Sequence, residues 1–248
     1  MNNRLLSAAM FAAFLASGSA SAQDEGTSYT PRATAPGSET AQAHTNRTEE
    51  AREAADQVTA AAELLSSMKE AEGTQSLLEQ AQGLFIVPDY GRGAAVVGAR
   101  GGEGILVVRH AGEWAGPAFY DFGGLSVGAQ VGGQRGSMVM FLMSDQAVER
   151  FKEDNTDFAL TADAGLTIVE YSESAHATLT ESDVVVWSDA EGLFGGAAIG
   201  VTGIRHDADD NRAYYEEDAS AEQIIMGSVT NPHAEQLHEQ LPSQVASR

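Results

Sequence analysis

Gly124-Leu125-Ser126-Val127-Gly128 spells G-x-S-x-G, the spacing of a serine-hydrolase nucleophile elbow. That chemistry needs a strand, a sharp turn at the serine and a helix behind it. The residues after Ser126 do not supply them. Val127 to Gly133 alternate apolar and small, and the glycines at 128, 132 and 133 exclude a helix start there. Leu125, Val127, Ala129 and Val131 share one strand face, and Gly124, Ser126, Gly128, Gln130 and Gly132 share the other. A face that small implies close approach of another backbone, or a bend of the kind barrel strands make. A second stretch repeats the device, with Gly196, Ala198, Gly200 and Thr202 alternating against Ala197, Ile199 and Val201. His176 and His206 follow Ser126 in hydrolase order without a recognisable context, so no catalytic residue is expected.

Metal chemistry is equally thin. Asp207-Ala208-Asp209-Asp210-Asn211 begins like a calcium loop, and Asp218 falls at its twelfth position. Arg212 stands where that loop needs glycine, and Asp218 replaces the bidentate glutamate. Asp207, Asp209 and Asn211 are therefore calcium candidates in a segment that reads better as a solvated acidic turn. The six histidines show neither H-x-x-x-H nor H-x-H spacing, and no phosphate-binding glycine loop carries its Lys-Ser/Thr. No cofactor is expected. What remains is an aromatic cluster, Trp114, Phe119, Tyr120 and Phe122 around Pro117. It could line an apolar pocket or dip into a lipid interface, or it could fill the core of a small β-barrel.

The elements that position these residues follow from hydrophobic periodicity. Ala51, Ala54, Ala55, Val58, Ala61, Ala62, Leu65 and Met68 recur at three and four, predicting an amphipathic helix over residues 47–73. Its polar face is acidic, the reverse of the bias that holds a helix on anionic membrane. A second short helix is expected over Gln75–Gln82, stopping at Gly83. The period then changes to two, in runs at 84–87, 94–99, 104–109, 125–131, 137–143, 159–172, 183–188 and 192–205. Residues 100–103 and 132–135 read as hairpin turns between such runs. Ser144 and Ser220 are expected to cap helices, and Asn231-Pro232 is a cap followed by proline at the first helical position. The fold class expected is α+β: a mostly antiparallel, barrel-like sheet with N-terminal and C-terminal helices packed on it.

Composition limits the partners. Asp and Glu number 36 against 14 Lys and Arg, a formal charge of −22. A field of that sign repels nucleic acid at long range. Without cysteine, disulfides, thiolate chemistry and Cys-based zinc sites are excluded. Arg4, the apolar run from Leu5 to Leu15 and Ala20-Ser21-Ala22 compose a secretory signal peptide over residues 1–22. The expected organisation is that signal, a disordered linker over 23–46, one domain over 47–241 and a frayed tail over 242–248. Export to the periplasm or beyond follows as an expectation.

Several segments, in order, resemble the SYLF family of lipid-binding domains. Gln82-Gly83-Leu84-Phe85-Ile86-Val87-Pro88 resembles its A-K-G-x-x-x-x-P segment, and Gly112-Glu113-Trp114-Ala115-Gly116-Pro117-Ala118-Phe119 its G-x-W-S-x-P-A-F segment. Gly123 to Gly133 is similar to its G-x-S-x-G-x-Q-x-G strand, with Gly128, Gln130 and Gly132 in place. Glu191-Gly192-Leu193-Phe194-Gly195-Gly196 resembles K-G-L-F-A-G, and Asn211 with Tyr214-Tyr215 resembles N-x-x-Y-Y-G. The resemblance implies a non-enzymatic module associated with membranes or, in eukaryotic members, with actin. Two departures limit what carries over. Ser188-Asp189-Ala190-Glu191 replaces the basic residues expected before Gly192, and the N-terminal helix is acidic. Phosphoinositide recognition therefore does not transfer, and actin does not suit an exported chain. The expectation is a lipid- or membrane-associated binding module of the cell envelope, with Trp114, Phe119, Tyr120, Phe122, Leu193 and Phe194 as contact candidates. Its rivals are an envelope protein-interaction module without a small ligand and a small outer-membrane barrel, which the short glycine-rich strands and polar C-terminal helix disfavour.

Overall fold

The computed structural model describes residues 36–71, 73–90, 102–126, 136–152, 157–162, 165–171, 182–189 and 200–243. The signal and most of the linker expected over 1–46 lie outside these residues. So do the run at 94–99, the turn at 132–135 and the segment that holds Leu193 and Phe194.

Helix α1 spans Pro36–Met68 and so begins inside the stretch expected as linker. Proline suits the first turn of a helix, where its missing N–H would have no partner. The predicted stripe is the buried one: Ala54, Val58, Ala61, Ala62, Leu65 and Met68 are in the core, joined by Leu64. After α2 (Thr74–Gln80) come β1 (Gly83–Tyr90), β2 (Gly102–His110), β3 (Glu113–Ser126) and β4 (Gly136–Leu142). Then follow α3 (Asp145–Glu149), β5 (Phe158–Leu160), β6 (Ile168–Glu170), β7 (Val184–Ser188) and β8 (Gly200–His206). The chain ends in α4 (Ala208–Tyr215), α5 (Ala221–Ile225), a 3-10 turn (Pro232–Ala234) and α6 (Glu235–His238).

The eight strands form one sheet in the order β5-β8-β3-β2-β1-β4-β7-β6, antiparallel except where β6 runs parallel to β7. It curls into a half-barrel with helices at both ends, the α+β architecture that the periodicity implies. Irregularities supply the bend. The register shifts between Val87 and Tyr90 in β1, where Pro88 has no N–H to give the ladder, and between Leu106 and Val108 opposite Gly116-Pro117, a cis peptide. Gly203, at φ +63°, brings its backbone against Gly123, so that a Cβ there would lie 3.3 Å from the Gly123 nitrogen.

Both faces of the central strands are covered. Leu84 to Val87, Ile105 to Val107, Met138 to Leu142 and Val184 to Val186 are wholly buried without alternation. Such runs arise when helices and chain lie on both sides of a sheet. Inside the curl, Phe85 stands edge-on to Tyr120 and Phe122 and tilted against Phe151, at centroid distances of 6.4, 6.4 and 5.3 Å. On the other face Phe119 meets Tyr214 of α4 at 5.1 Å. Room for the inner rings comes from glycine: a Cβ on Gly104 would lie 2.3 Å from the Phe85 ring, and one on Gly102 2.7 Å from that of Phe122. The expected caps form. The Ser144 hydroxyl accepts the Ala147 N–H, Ser220 and Gln223 make a reciprocal capping box, and Asn231 caps the turn that starts at Pro232.

Candidate functional site

Ser126 is the last residue of β3 and pairs with Gly200 on β8, in strand register. His206 stands at the other end of β8, about 20 Å away at 3.3–3.4 Å per residue, too far to serve Ser126 as a base. His176 lies outside the described residues.

The acidic segment folds as the start of α4. Asp207 caps α4, its carboxylate accepting the N–H groups of Asp209 and Asp210 at 3.0 Å each. Asp209 and Asp218 both pair with Arg212. Asn211 is wholly buried, and its amide is consumed by β3: Oδ1 accepts the Phe119 N–H at 3.1 Å, and Nδ2 donates to the Phe119 carbonyl at 2.9 Å and the Asp207 carbonyl at 2.5 Å. Asp207, Asp209 and Asn211, the calcium candidates, thus each bond within the chain, Asp207 and Asn211 at the start of α4 and Asp209 to Arg212. Among the described residues, no group of three or more His, Asp or Glu is placed to hold a metal ion. Tyr215 completes the clamp by donating to the Pro117 carbonyl at 2.7 Å, and burial raises its phenol's pKa above the ordinary range.

The aromatic cluster divides. Phe119, Tyr120 and Phe122 are at most 3 % exposed and belong to the core, Tyr120 also donating to the Phe151 carbonyl at 2.6 Å. As surface contacts they are corrected: β3 is buried on both faces, so neither parity of its side chains reaches solvent there. Trp114 differs. It lies near the end of the β2–β3 hairpin, partly buried, with Arg109 opposite it in the register. The guanidinium carbon sits 4.4 Å from the centre of the indole ring, and the indole N–H donates to the Pro242 carbonyl at 2.9 Å.

Ala111 and Gly112 turn this hairpin at positive φ, +52° and +91°, as a tight two-residue connection requires. Between that turn and the segment from Met226 to His238 runs a groove of about 360 Å³, walled by Trp114, Ala115, Met226 and Val229. A smaller cavity of about 120 Å³ shares His110 and Met226 with it and is bordered by Arg109 and Lys152. Met226 is 43 % exposed, the one exposed large hydrophobic side chain among the described residues. His238 on the groove wall is held neutral to lower pH by burial, against a backbone hydrogen bond at Gly116. Sequence reasoning named Trp114 and missed Arg109, Met226, Val229 and His238. Drawing the hairpin register from Ala111-Gly112 would have set Arg109 opposite Trp114; nothing local marks Met226.

A second feature is electrostatic. The Asp210 carboxyl is pushed up to about 7 by burial and then by Asp207, Glu103, Asp121 and Glu50. Glu103 is likewise raised by burial and by Asp121, against a 2.6 Å hydrogen bond from Gln57 of α1. The end of α1 that meets α4 is therefore a negative surface, unsuited to an anionic membrane.

Comparison with known proteins agrees with the motifs. Residues 123–244 match the family model Ysc84, described as "Las17-binding protein actin regulator". The human SH3 domain-containing YSC84-like protein 1 is 30 % identical over 174 residues, 67 % of this chain and 50 % of the relative; its Xenopus laevis counterpart is 28 % identical over 175 residues, 67 % and 51 %. LAS seventeen-binding protein 3 of Saccharomyces cerevisiae is 28 % identical over 164 residues, 64 % of this chain and 35 % of the relative. The chain thus spans about half the length of the vertebrate relatives. The motifs, the clamp they build and these matches together place the chain in the Ysc84, or SYLF, family.

Proposed function

We propose that the chain is an exported, non-enzymatic binding module that takes an apolar or amphiphilic ligand at the hairpin-end groove. The observation that carries this is Met226. Among the described residues the other large hydrophobic side chains are buried or half-buried, and this one is exposed over a groove whose wall includes Trp114 and Val229. Export rests on the signal-peptide pattern of residues 1–22. No helix of the described residues is long and apolar enough to cross a membrane. The acidic α1 surface keeps phosphoinositide recognition out of the proposal. Native mass spectrometry of detergent-free protein is expected to show a lipid-sized adduct that Met226→Ser reduces, and co-sedimentation is expected with zwitterionic as well as anionic vesicles. Absence of both at every salt concentration refutes the reading.

The family description and the yeast relative's name, which both name Las17 binding, favour a second reading, a protein-interaction module of the envelope. Pull-downs from envelope extract separate the two: a protein partner without co-purifying lipid supports the second.

A further inference from the structure

Arg109 is under-satisfied in an unusual way. Among the described residues, its five guanidinium N–H groups make one hydrogen bond, a long one from Nη1 to the Pro242 carbonyl at 3.5 Å. Nε and Nη2 are buried and meet no partner among those residues. Those two nitrogens form one edge of the guanidinium, the edge that grips a carboxylate or phosphate through two parallel hydrogen bonds. Stacking on Trp114 at 4.4 Å holds the plane of the group, so the edge is aimed before any ligand arrives. Burial also disfavours the charged guanidinium.

A C-terminal strap, residues 240–242, touches both side chains. The Pro242 carbonyl receives both the Trp114 indole N–H at 2.9 Å and the Arg109 Nη1–H. The strap is docked by Leu241, 7 % exposed, and by Lys69 donating to Gln240 at 3.2 Å. A neutral carbonyl oxygen meets one edge of a cation that offers two. Arg109 also borders the cavity of about 120 Å³, whose other charged residues are Lys152, Glu149 and Asp145; Lys152 is paired with Glu149.

We infer that Arg109 and Trp114 form an oxyanion site held shut by the strap: a carboxylate or phosphate group takes the Nε–Nη2 edge as Pro242 leaves. The site goes beyond the groove reading, because it stands on Arg109 whatever apolar group the groove accepts. The oxyanion arrives either free or as the head of an amphiphile whose tail runs past Trp114 into the groove. Net charge disfavours the free ion at long range.

Calorimetric titration of the full chain with octyl phosphate, inorganic phosphate and octanol tests this. Octyl phosphate is expected to bind, and Arg109→Gln to weaken it at least tenfold. Arg109→Lys is expected to weaken it as well, since lysine keeps the charge and lacks the fork. Octanol binding is expected to be indifferent to both. Deletion of residues 242–248 is expected to tighten octyl phosphate at least threefold. Inorganic phosphate binding with the same Arg109 dependence supports a free oxyanion; octyl phosphate binding without it supports an amphiphile head. Equal affinity of wild type and Arg109→Gln for octyl phosphate, with octanol still bound, overturns the site and leaves the groove standing. Failure of every probe overturns both. Should Arg109→Gln lose its far-UV circular dichroism, the wild-type Nε–H resonance of Arg109 decides: it is expected to shift with octyl phosphate far more than with octanol, and an equal shift or none overturns the site.

Discussion

Asn211→Ala tests whether the family motif around α4 serves the fold. The side chain ties α4 to β3 through two hydrogen bonds to Phe119 and makes a third within its own helix start, to the Asp207 carbonyl. The consequences of truncation differ among them. The Phe119 carbonyl keeps the Asp207 N–H at 3.0 Å, so its loss is partial. The Phe119 N–H loses its acceptor in a buried site, which costs about 1–3 kcal/mol. The two other bonds contribute about 1 kcal/mol each, giving a total of about 3–5 kcal/mol for a wholly buried residue. That is a large share of the roughly 5–15 kcal/mol by which a domain is stable. Urea unfolding followed by far-UV circular dichroism measures it as a lower midpoint at constant slope.

Asn211→Asp sharpens the test. The volume is kept, the donor is lost, and a carboxylate faces the carbonyl oxygens of Phe119 and Asp207. The variant is expected to be less stable than Asn211→Ala at pH 8 and to recover as pH falls, since a protonated carboxyl again donates to one carbonyl. A loss below 1 kcal/mol for Asn211→Ala, or no pH dependence of Asn211→Asp between pH 4 and 8, refutes the clamp.

Two further outcomes follow from packing and charge. Gly104→Ala is expected to lower the melting temperature by about 4–8 °C, because its methyl would lie 2.3 Å from the wholly buried Phe85 ring and overpacking costs about 2 kcal/mol; an unchanged melt refutes the close approach. Asp210, ionising near 7 in the folded state against 3.8 unfolded, holds its proton more tightly when folded, so its cost is absent below about pH 4 and complete above about pH 7. Asp210→Asn is therefore expected to stabilise at pH 8 by roughly 1–2 kcal/mol, after discounting the full shift of about 4 for a half-exposed group, and to be neutral at pH 4 in the same urea assay.

Local signals were legible. The caps at Ser144, Ser220 and Asn231, the stripe of α1 and the strands at 83–90, 102–110, 136–142 and 184–188 follow from side-chain chemistry within a few residues. The start of α1 was not, because residues 36–46 carry no apolar stripe to mark a helix. The aromatic cluster was legible as a cluster and not as core. Phe119 and Tyr120 are neighbours on opposite faces, and a sheet with one solvated face would expose one of them. Only the tertiary placement of α4 over Phe119 and of Phe151 over Tyr120 hides both. The buried role of Asn211 was not legible for a related reason: its hydrogen bonds run to Phe119, 92 positions earlier, where no local pattern could point.

Among the described residues, several that carry the family resemblance are ones the fold consumes. Asn211 and Tyr215 bond the backbone of β3, Phe119 packs under Tyr214, and Gly123 gives space to Gly203. A motif spent on holding a sheet against a helix identifies the architecture and is silent on what the architecture binds. The chemistry that distinguishes one member from another then belongs to side chains the motif leaves free. In this chain those are the acidic face of α1, Met226 over the groove and the unfilled edge of Arg109. Trp114 is where the two sets meet, since it belongs to the motif and also forms the floor on which Arg109 lies. Trp114→Phe separates its roles: the ring keeps the packing and a weaker stack, while the hydrogen bond to Pro242 is lost. If the strap is the closure, this variant folds with nearly unchanged stability and binds octyl phosphate more tightly than the wild type.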